Sequence, residues 1–260
     1  LRNYGYKIIG PVKGDMACGE YGEGKMSEPS EISDEINSYF FDQINNKKIK
    51  ALVTAGPTNE YIDPVRFITN KSSGKQGYEI AKSLSKRGFD TTLISGPTKL
   101  KVDHKINLVK VETAEEMFKA TQKNLPADIA VFAAAVSDFK IDKKNNQKLK
   151  KTQNLNINLK KNIDILSYIS NHNSMRPKLV IGFAAETEDL EKNATFKLEN
   201  KNCDWIIAND ISKNNSGFNS DYNEVVIYYK NSKEKKEKLS LKRKSEISEE
   251  IVDRIVTHIN

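Results

Sequence analysis

Short runs of consecutive apolar residues alternate along the chain with stretches in which apolar residues recur every three to four positions. The apolar runs occupy residues 51–54, 90–95, 108–111, 129–135, 179–184 and 205–208. Runs of this length are typical of strands whose two faces are both buried. The periodic stretches between them, at residues 77–87, 114–124 and 190–200, are typical of amphipathic helices. This order predicts an α/β fold built on a doubly wound, mostly parallel sheet.

The two ends of the chain carry further elements. Residues 31–43 have the spacing of a helix. Residues 224–229 and 237–241 flank a polar turn and predict a β-hairpin, and residues 247–259 predict a last amphipathic helix. We therefore expect a Rossmann-like α/β domain, residues 49–260, that ends in a β-hairpin and a helix.

Composition excludes several classes of protein. Of the 260 residues 37% are hydrophobic and 30% are charged, and ten Phe and ten Tyr argue against a disordered chain. No run approaches the roughly 18 consecutive apolar residues of a membrane span, and no secretory leader pattern opens the sequence. Cys18 and Cys203 are too few for a disulfide framework and lack metal-ligand spacing. We expect a cytoplasmic protein without a membrane partner.

The net charge of +7 is distributed in segments. Residues 140–161 contain eight lysines against Asp142, residues 230–244 contain eight basic residues against two glutamates, and residues 15–35 are acidic. Basic runs are most often solvated surface, and neither run interleaves the aromatic residues of a base-stacking surface. We therefore expect no nucleic-acid partner. A nucleic-acid-binding module stays an alternative, and its affinity would fall steeply with salt.

The loop after the first predicted strand, residues 54–75, is the first candidate site. Ligands of doubly wound sheets bind beyond the carboxyl ends of the strands, and loops at that place normally have about 2–6 residues. The loop lacks the glycine fingerprint of a dinucleotide fold and the P-loop motif. Ser72, Ser73 and Gly74 precede a helix, where hydroxyls and backbone N–H groups can hold a phosphate. Serine there is also an ordinary helix N-cap, so both roles stay open.

A second glycine-rich segment, residues 19–26, has the spacing of a P-loop. Met26 stands where a P-loop needs Ser or Thr to meet Mg²⁺, and Glu20 and Glu23 would repel phosphates. We therefore interpret this segment as a flexible flap.

Three other candidate sites carry polar or charged residues. The small residues 133–135 let a base or ribose approach the backbone, and Asp138 either accepts from a ribose hydroxyl or caps the next turn. Lys148 either neutralises charge on a transferring phosphate or is one of a run of solvated charges. Lys197 and Lys201, four residues apart on one predicted helix, form either a cationic patch suited to a triphosphate or part of a mixed-charge surface.

Taken together, five segments resemble the phosphopantothenate–cysteine ligase family. They are residues 54–74, residues 133–138, the Lys-x-Lys-Lys motif at 148–151, Gly-Phe-Ala-Ala-Glu-Thr at 182–187 and Ala-Asn-Asp at 208–210, in the family's order and spacing. The resemblance covers residues 49–259. In most bacteria this ligase is the C-terminal half of a bifunctional coenzyme A biosynthesis protein.

The resemblance implies a two-step ligation. The carboxylate of 4′-phosphopantothenate attacks the α-phosphate of CTP, which gives an acyl-cytidylate and pyrophosphate, and the amine of cysteine then displaces CMP to form an amide. Asn70 matches the asparagine that acts on the acyl-cytidylate, and Lys148 matches the lysine needed to form it. Arg66 matches a substrate-binding position that reaches the phosphate of a dimer mate.

The resemblance also implies a CTP site, with Mg²⁺ as the chemical expectation for a triphosphate. Besides Lys148, the matching positions are Ser72, Ser73, Gly74, Phe132, Ala133, Ala134, Ala135, Asp138, Ile163, Asp164, Ile165, Leu166, Phe183, Lys197 and Lys201. Many relatives carry proline where this chain has Ile163.

The start of the chain resembles a different enzyme. Residues 1–30 are similar to the flap that ends the flavin-dependent phosphopantothenoylcysteine decarboxylase half, with Cys18 at its proton-donating cysteine, and residues 31–48 would be a helical linker. FMN belongs to the decarboxylase domain, of which we expect only this flap in the chain, so we expect no bound flavin and no decarboxylation by this chain. The family implies a homodimer through the ligase domain and a larger homo-oligomer at full length.

An NAD(P)-dependent reductase on the same type of sheet is the alternative enzyme. It would need a glycine fingerprint after the first strand and an acidic residue at the end of the second. The sequence has Gly56-Pro57 and Ser95-Gly96 at these places.

Overall fold

The chain folds as two units, one formed by residues 1–48 and 86–89, the other by residues 49–85 and 90–260. The structure is a computed structural model and describes residues 1, 6–16, 19–44, 49–150, 156–212 and 220–259. No helix in these ranges has the length and apolar character to cross a membrane.

In the first unit, β1 (Val12–Asp15) and β2 (Tyr21–Lys25) pair antiparallel, and α1 (Pro29–Ile44) follows. The helix predicted at residues 31–43 is confirmed and begins two residues earlier. The two strands were not predicted. The glycine-rich segment 19–26 thus contains a hairpin strand, and not the strand-to-helix loop that a P-loop requires.

The second unit contains the remaining elements. They are β3 (Lys50–Ala55), β4 (Asn59–Tyr61), β5 (Phe67–Thr69), α2 (Lys75–Lys86), β6 (Asp90–Ser95), β7 (Asn107–Lys110), α3 (Ala114–Lys123), β8 (Ile129–Phe132), β9 (Phe139–Ile141), β10 (Leu159–Lys161), α4 (Ile165–Ser170), β11 (Leu179–Glu186), α5 (Leu190–Lys201), β12 (Trp205–Asp210), β13 (Tyr222–Tyr229), β14 (Lys236–Arg243) and α6 (Lys244–Ile259).

Eight of these strands form one sheet in the order β14-β13-β12-β11-β8-β3-β6-β7. All neighbours from β12 to β7 pair parallel, and the hairpin β13–β14 adds two antiparallel strands at the edge. The predicted fold class is therefore confirmed, including the C-terminal hairpin and helix. The chain leaves β3 toward β6 on one side and later returns to β8 on the other, which makes the β3–β8 border a topological switch point.

The apolar runs are buried because both faces of the sheet are covered. Leu52, Ile94, Ile129, Ile181 and Ile206 lie in the central strands and are almost fully inaccessible. Helix α2 approaches β3 closely at Gly77, where a Cβ atom would lie 2.6 Å from the Cβ of Ala55. The sheet can thus hold the ends of its central strands in fixed register.

The strand predicted at residues 129–135 is too long. Strand β8 ends at Phe132, which pairs with Thr54 on one side and Gly182 on the other. Beyond it the backbone N–H of Ala135 donates to the oxygen of Gly56 at 2.9 Å, so the chain turns toward the β3 loop. This turn frees residues 133–136 from the β8–β11 ladder.

Candidate active site

A cavity of about 660 Å³ lies at the carboxyl ends of β3, β8 and β11, at the switch point of the sheet. Ligand sites are expected at this place in doubly wound folds. Its wall includes the predicted residues Asn70, Ser72, Ser73, Gly74, Phe132, Ala133, Ala134, Ala135, Asp138, Ile163, Asp164, Ile165, Leu166, Phe183, Lys197 and Lys201. The structure therefore brings together residues that are more than a hundred positions apart in sequence.

The turn before α2 forms one wall. Ser72 Oγ accepts from the backbone N–H of Gly74 at 3.3 Å. Gly74 has a φ of +76°, and a Cβ there would lie 2.9 Å from Thr98 Cγ2, so this position requires glycine. The first three residues of the 12-residue helix α2, residues 75–77, line the cavity. Backbone N–H groups and the positive end of the helix dipole make this wall favourable to an anion.

Asn70 lies opposite the turn that follows β8. Its Nδ2 donates to the backbone oxygens of Val136 at 3.0 Å and Ala135 at 3.4 Å. The side chain is therefore held against the turn although the residue is exposed. The amide nitrogen has two hydrogens, so Asn70 has to give up one of these contacts to donate to a substrate.

The small residues after β8 present backbone to the cavity. The N–H of Ala133 donates to the oxygen of Thr54 at 3.1 Å, and that of Ala134 to Thr54 Oγ1 at 3.4 Å. Asp138 follows on this rim and is exposed, and its backbone oxygen accepts from the N–H of Asn162 at 2.8 Å. These bonds tie the β8 turn to both β3 and the segment before α4.

The two lysines of α5 do not form the cationic patch that their spacing suggested. Lys197 Nζ lies 2.6 Å from Glu186 Oε1, and Lys201 Nζ contacts Asp164 Oδ2. Asp164 also caps α4 by accepting from the N–H of Ser167 at 2.9 Å. Each lysine is thus neutralised by a carboxylate from another element, which a helix-spacing argument cannot reveal.

Lys148 and Arg66, in contrast, are not part of the cavity wall. Lys148 is exposed, and its neighbour Leu149 is held by two side chains. Arg66 Nη2 donates to the oxygen of Leu149 at 2.7 Å, and Asp63 Oδ2 accepts the Leu149 N–H at 3.1 Å. Burial alone would raise the pKa of the Asp63 carboxyl, but the N–H donors of Val65, Leu149 and Arg66 and the Arg66 charge lower it.

The second unit of the chain, which contains the cavity, matches the model of a known protein family. Residues 46–259 match the DNA/pantothenate metabolism flavoprotein C-terminal domain. The chain belongs to this family. It is 40% identical over 258 residues to the coenzyme A biosynthesis bifunctional protein CoaBC of Haemophilus influenzae, a match that covers 98% of this chain and 63% of that protein. The chain thus spans less than two thirds of that relative's length.

Solved structures of the family have the same fold. The C-terminal domain of a CoaBC protein is 36% identical, with a TM-score of 0.68 over 81% of this chain and 95% of that domain. The DNA/pantothenate metabolism flavoprotein from Streptococcus pneumoniae is 25% identical, with a TM-score of 0.68 over 81% of this chain and 99% of that one.

The family domain also contains cavity residues that sequence reasoning missed. Asn223 and Lys244 line the cavity and are buried, with 3% and 6% of their surfaces exposed. Lys75 pairs with Asp221 at 2.5 Å near them. The predicted hairpin was a signal for them. Its first strand, β13, runs antiparallel to β12 and so begins at the edge of the sheet where the parallel strands end.

Two predicted features stay untested by this geometry. Cys18 and the linker residues 45–48 lie outside the described residues. Within the described part of the chain, no group of three or more His, Cys, Asp or Glu side chains could hold a metal ion.

Proposed function

We propose that this chain is a CTP-dependent phosphopantothenate–cysteine ligase of coenzyme A biosynthesis. The proposal is supported by membership of the family, by the CoaBC relatives and by one observation above all. Every predicted CTP-contacting residue except Lys148 lines the same switch-point cavity. The chain would supply the ligase step of a longer bifunctional protein, in which a flavin-containing domain with FMN decarboxylates the product to 4′-phosphopantetheine.

Charge within the cavity supports one orientation of the nucleotide. The lysines of α5 are paired with Glu186 and Asp164, so this wall offers little net positive charge to phosphates. The turn at Ser72 and Gly74 offers N–H groups at the start of α2. In our proposal the triphosphate binds at that turn and the base lies toward α5, where paired lysines and carboxylates present hydrogen-bond donors beside acceptors.

The first step joins the substrate carboxylate to the α-phosphate. In our proposal the Ser72–Ser73 turn orients the phosphates for in-line attack, and Lys148 approaches from the neighbouring segment to neutralise the charge that develops. The contacts of Leu149 with Asp63 and Arg66 hold that segment near the loop that also carries Asn70.

The second step replaces CMP by the amine of cysteine. Asn70 Nδ2 lies against the β8 turn and can exchange its 3.4 Å contact with Ala135 for the carbonyl of the acyl-cytidylate. A donor at that oxygen stabilises the charge that forms when the amine attacks. In our proposal Asn70 therefore acts in the second step and Lys148 in the first.

Mg²⁺ has no protein cage among the described residues. We propose that it enters with the triphosphate, which together with water supplies its ligands, as is usual for this ion. We also propose a homodimer through this domain, in which Arg66 reaches the phosphate of the other subunit's substrate.

The nucleotide requirement is tested by pyrophosphate release. The protein is mixed with 4′-phosphopantothenate and either CTP or ATP, without cysteine. We expect about one pyrophosphate per site with CTP and much less with ATP. Faster release with ATP would overturn the CTP assignment, and no release with either nucleotide would overturn the first step.

A further inference from the structure

A chain of hydrogen bonds at the base of the cavity has only one possible direction. Ser248 Oγ donates to the backbone oxygen of Lys244 at 2.7 Å, so it can only accept from Gln76 Nε2, at 2.8 Å. Gln76 therefore turns its Oε1 to Asn223, which must donate through Nδ2, at 3.1 Å. The Oδ1 atom of Asn223 is left as an acceptor.

This acceptor is unusual because it is buried. Asn223 is 3% exposed, and its Oδ1 has no hydrogen-bond partner among the described residues. A buried acceptor without a donor is costly and calls for an explanation, such as a bound group that supplies the donor. Since Asn223 lines the cavity, a ligand that satisfies it must bring a hydrogen-bond donor.

Lys244 places a second polar group on the same wall. It is 6% exposed and begins α6. Burial and, secondarily, the nearby charge of Lys75 lower its pKa to about 8, although the Asp221 carboxylate acts in the opposite direction. A bound anion would favour the ammonium form of Lys244. This wall thus combines an acceptor with a cation.

We propose that Asn223 and Lys244 bind the amino-acid substrate, with Asn223 Oδ1 accepting from its α-amino group and Lys244 pairing with its α-carboxylate. The inference rests on the proposed function, in which that substrate is cysteine. Ionised phosphates carry acceptors only and cannot satisfy Asn223. An amine that donates one N–H to Asn223 keeps its lone pair for attack on the activated acyl group.

The test measures the two half-reactions separately and removes the two proposed contacts one at a time. Lys244→Met and Asn223→Leu are compared with wild type for pyrophosphate release without cysteine and for the dependence of CMP release on cysteine. Both variants should raise the half-saturating cysteine concentration about tenfold or more, the scale of a lost charge-assisted hydrogen bond. In both variants the rise in half-saturating cysteine concentration should exceed any change in pyrophosphate release.

Cysteamine, which lacks the carboxylate, distinguishes the two residues. Wild type should prefer cysteine, Lys244→Met should lose this preference, and Asn223→Leu should weaken both amines equally. Lys178→Met, whose side chain is 84% exposed, is the matched control and should behave as wild type. Binding of radiolabelled cysteine by equilibrium dialysis needs no turnover and tests the site even if the wild type releases no pyrophosphate.

Two results would overturn the inference. One is an unchanged response of both variants to cysteine. The other is a fall in pyrophosphate release and CTP affinity in Lys244→Met with an unaltered preference for cysteine, which would assign Lys244 to the triphosphate.

Discussion

Asp63 holds the backbone of Leu149 from 86 residues away, its Oδ2 accepting the Leu149 N–H at 3.1 Å. Arg66 completes the contact by donating to the oxygen of the same residue at 2.7 Å. Lys148, the proposed activating lysine, immediately precedes this anchored position. The β4–β5 connection therefore fixes the backbone of the residue that follows the lysine.

Asp63→Asn tests this positioning role. The amide is neutral and a weaker acceptor for Leu149 and Arg66, so we expect pyrophosphate release to slow about tenfold. Exchange of the Leu149 amide hydrogen should accelerate, which hydrogen exchange read by NMR detects independently of activity. Asp103→Asn, in an exposed turn, is the control. Normal exchange at Leu149 in Asp63→Asn would refute the anchor.

Lys148→Gln should greatly slow formation of the acyl-cytidylate. Loss of one preorganised electrostatic contact typically costs about 3–4 kcal/mol, or a hundredfold to a thousandfold in rate. Single-turnover pyrophosphate release without cysteine measures this step. Lys143→Gln, an exposed lysine of the same segment, should retain the wild-type rate. Equal rates for the two variants would remove Lys148 from the mechanism.

Asn70→Asp should block the second step of the ligation and leave the first step intact. The carboxylate cannot donate to the acyl carbonyl, so the acyl-cytidylate should form and accumulate while the amide does not. Mass spectrometry of the quenched reaction detects the intermediate. Asn107→Asp, on β7, is the control. Normal product formation by Asn70→Asp would contradict its assigned role.

Lys244→Met should change the pH dependence of stability. The native pKa is lowered from 10.5 to about 8, so holding the charge costs on the order of 3 kcal/mol below pH 8. Between pH 8 and 10.5 the unfolded state binds more protons, so wild-type stability rises relative to the variant. Denaturant unfolding at pH 7 and 10.5 should show the variant's advantage shrinking by about that amount. A constant difference, as expected for Lys178→Met, would contradict the lowered pKa.

Cys203 should be unreactive in the folded protein. Burial raises the pKa of its thiol to about 12, so at pH 8 its thiolate fraction is roughly a thousandfold below that of free cysteine. In a Cys18→Ser variant, which leaves one thiol, a thiol reagent should label the native chain slowly and the denatured chain at once. Rapid native labelling would show that the surrounding core opens.

The sequence predicted the main sheet because its strands are continuous apolar runs. It missed β9 and β10 because they are three-residue strands, the second wholly exposed, so neither produces an apolar pattern. Helix α4 has six residues and was missed because a periodicity needs a longer window.

The candidate site was predicted only in part because its ion pairs and the burial of its charges depend on contacts between distant elements. The resemblance identified many residues of the cavity wall, but it could not reveal that Lys197 pairs with Glu186, eleven residues away on another element. Lys244 was counted in a basic run that looked solvated. Its burial depends on α6 packing at the edge where β13 begins, which is a tertiary effect.

The central claim is tested most directly by the complete reaction. The chain is incubated with 4′-phosphopantothenate, CTP, Mg²⁺ and cysteine, and the products are identified by mass spectrometry. We predict phosphopantothenoylcysteine and CMP in equal amounts, and CMP formation only when cysteine is present. Unchanged 4′-phosphopantothenate after complete incubation of the folded protein would contradict the account.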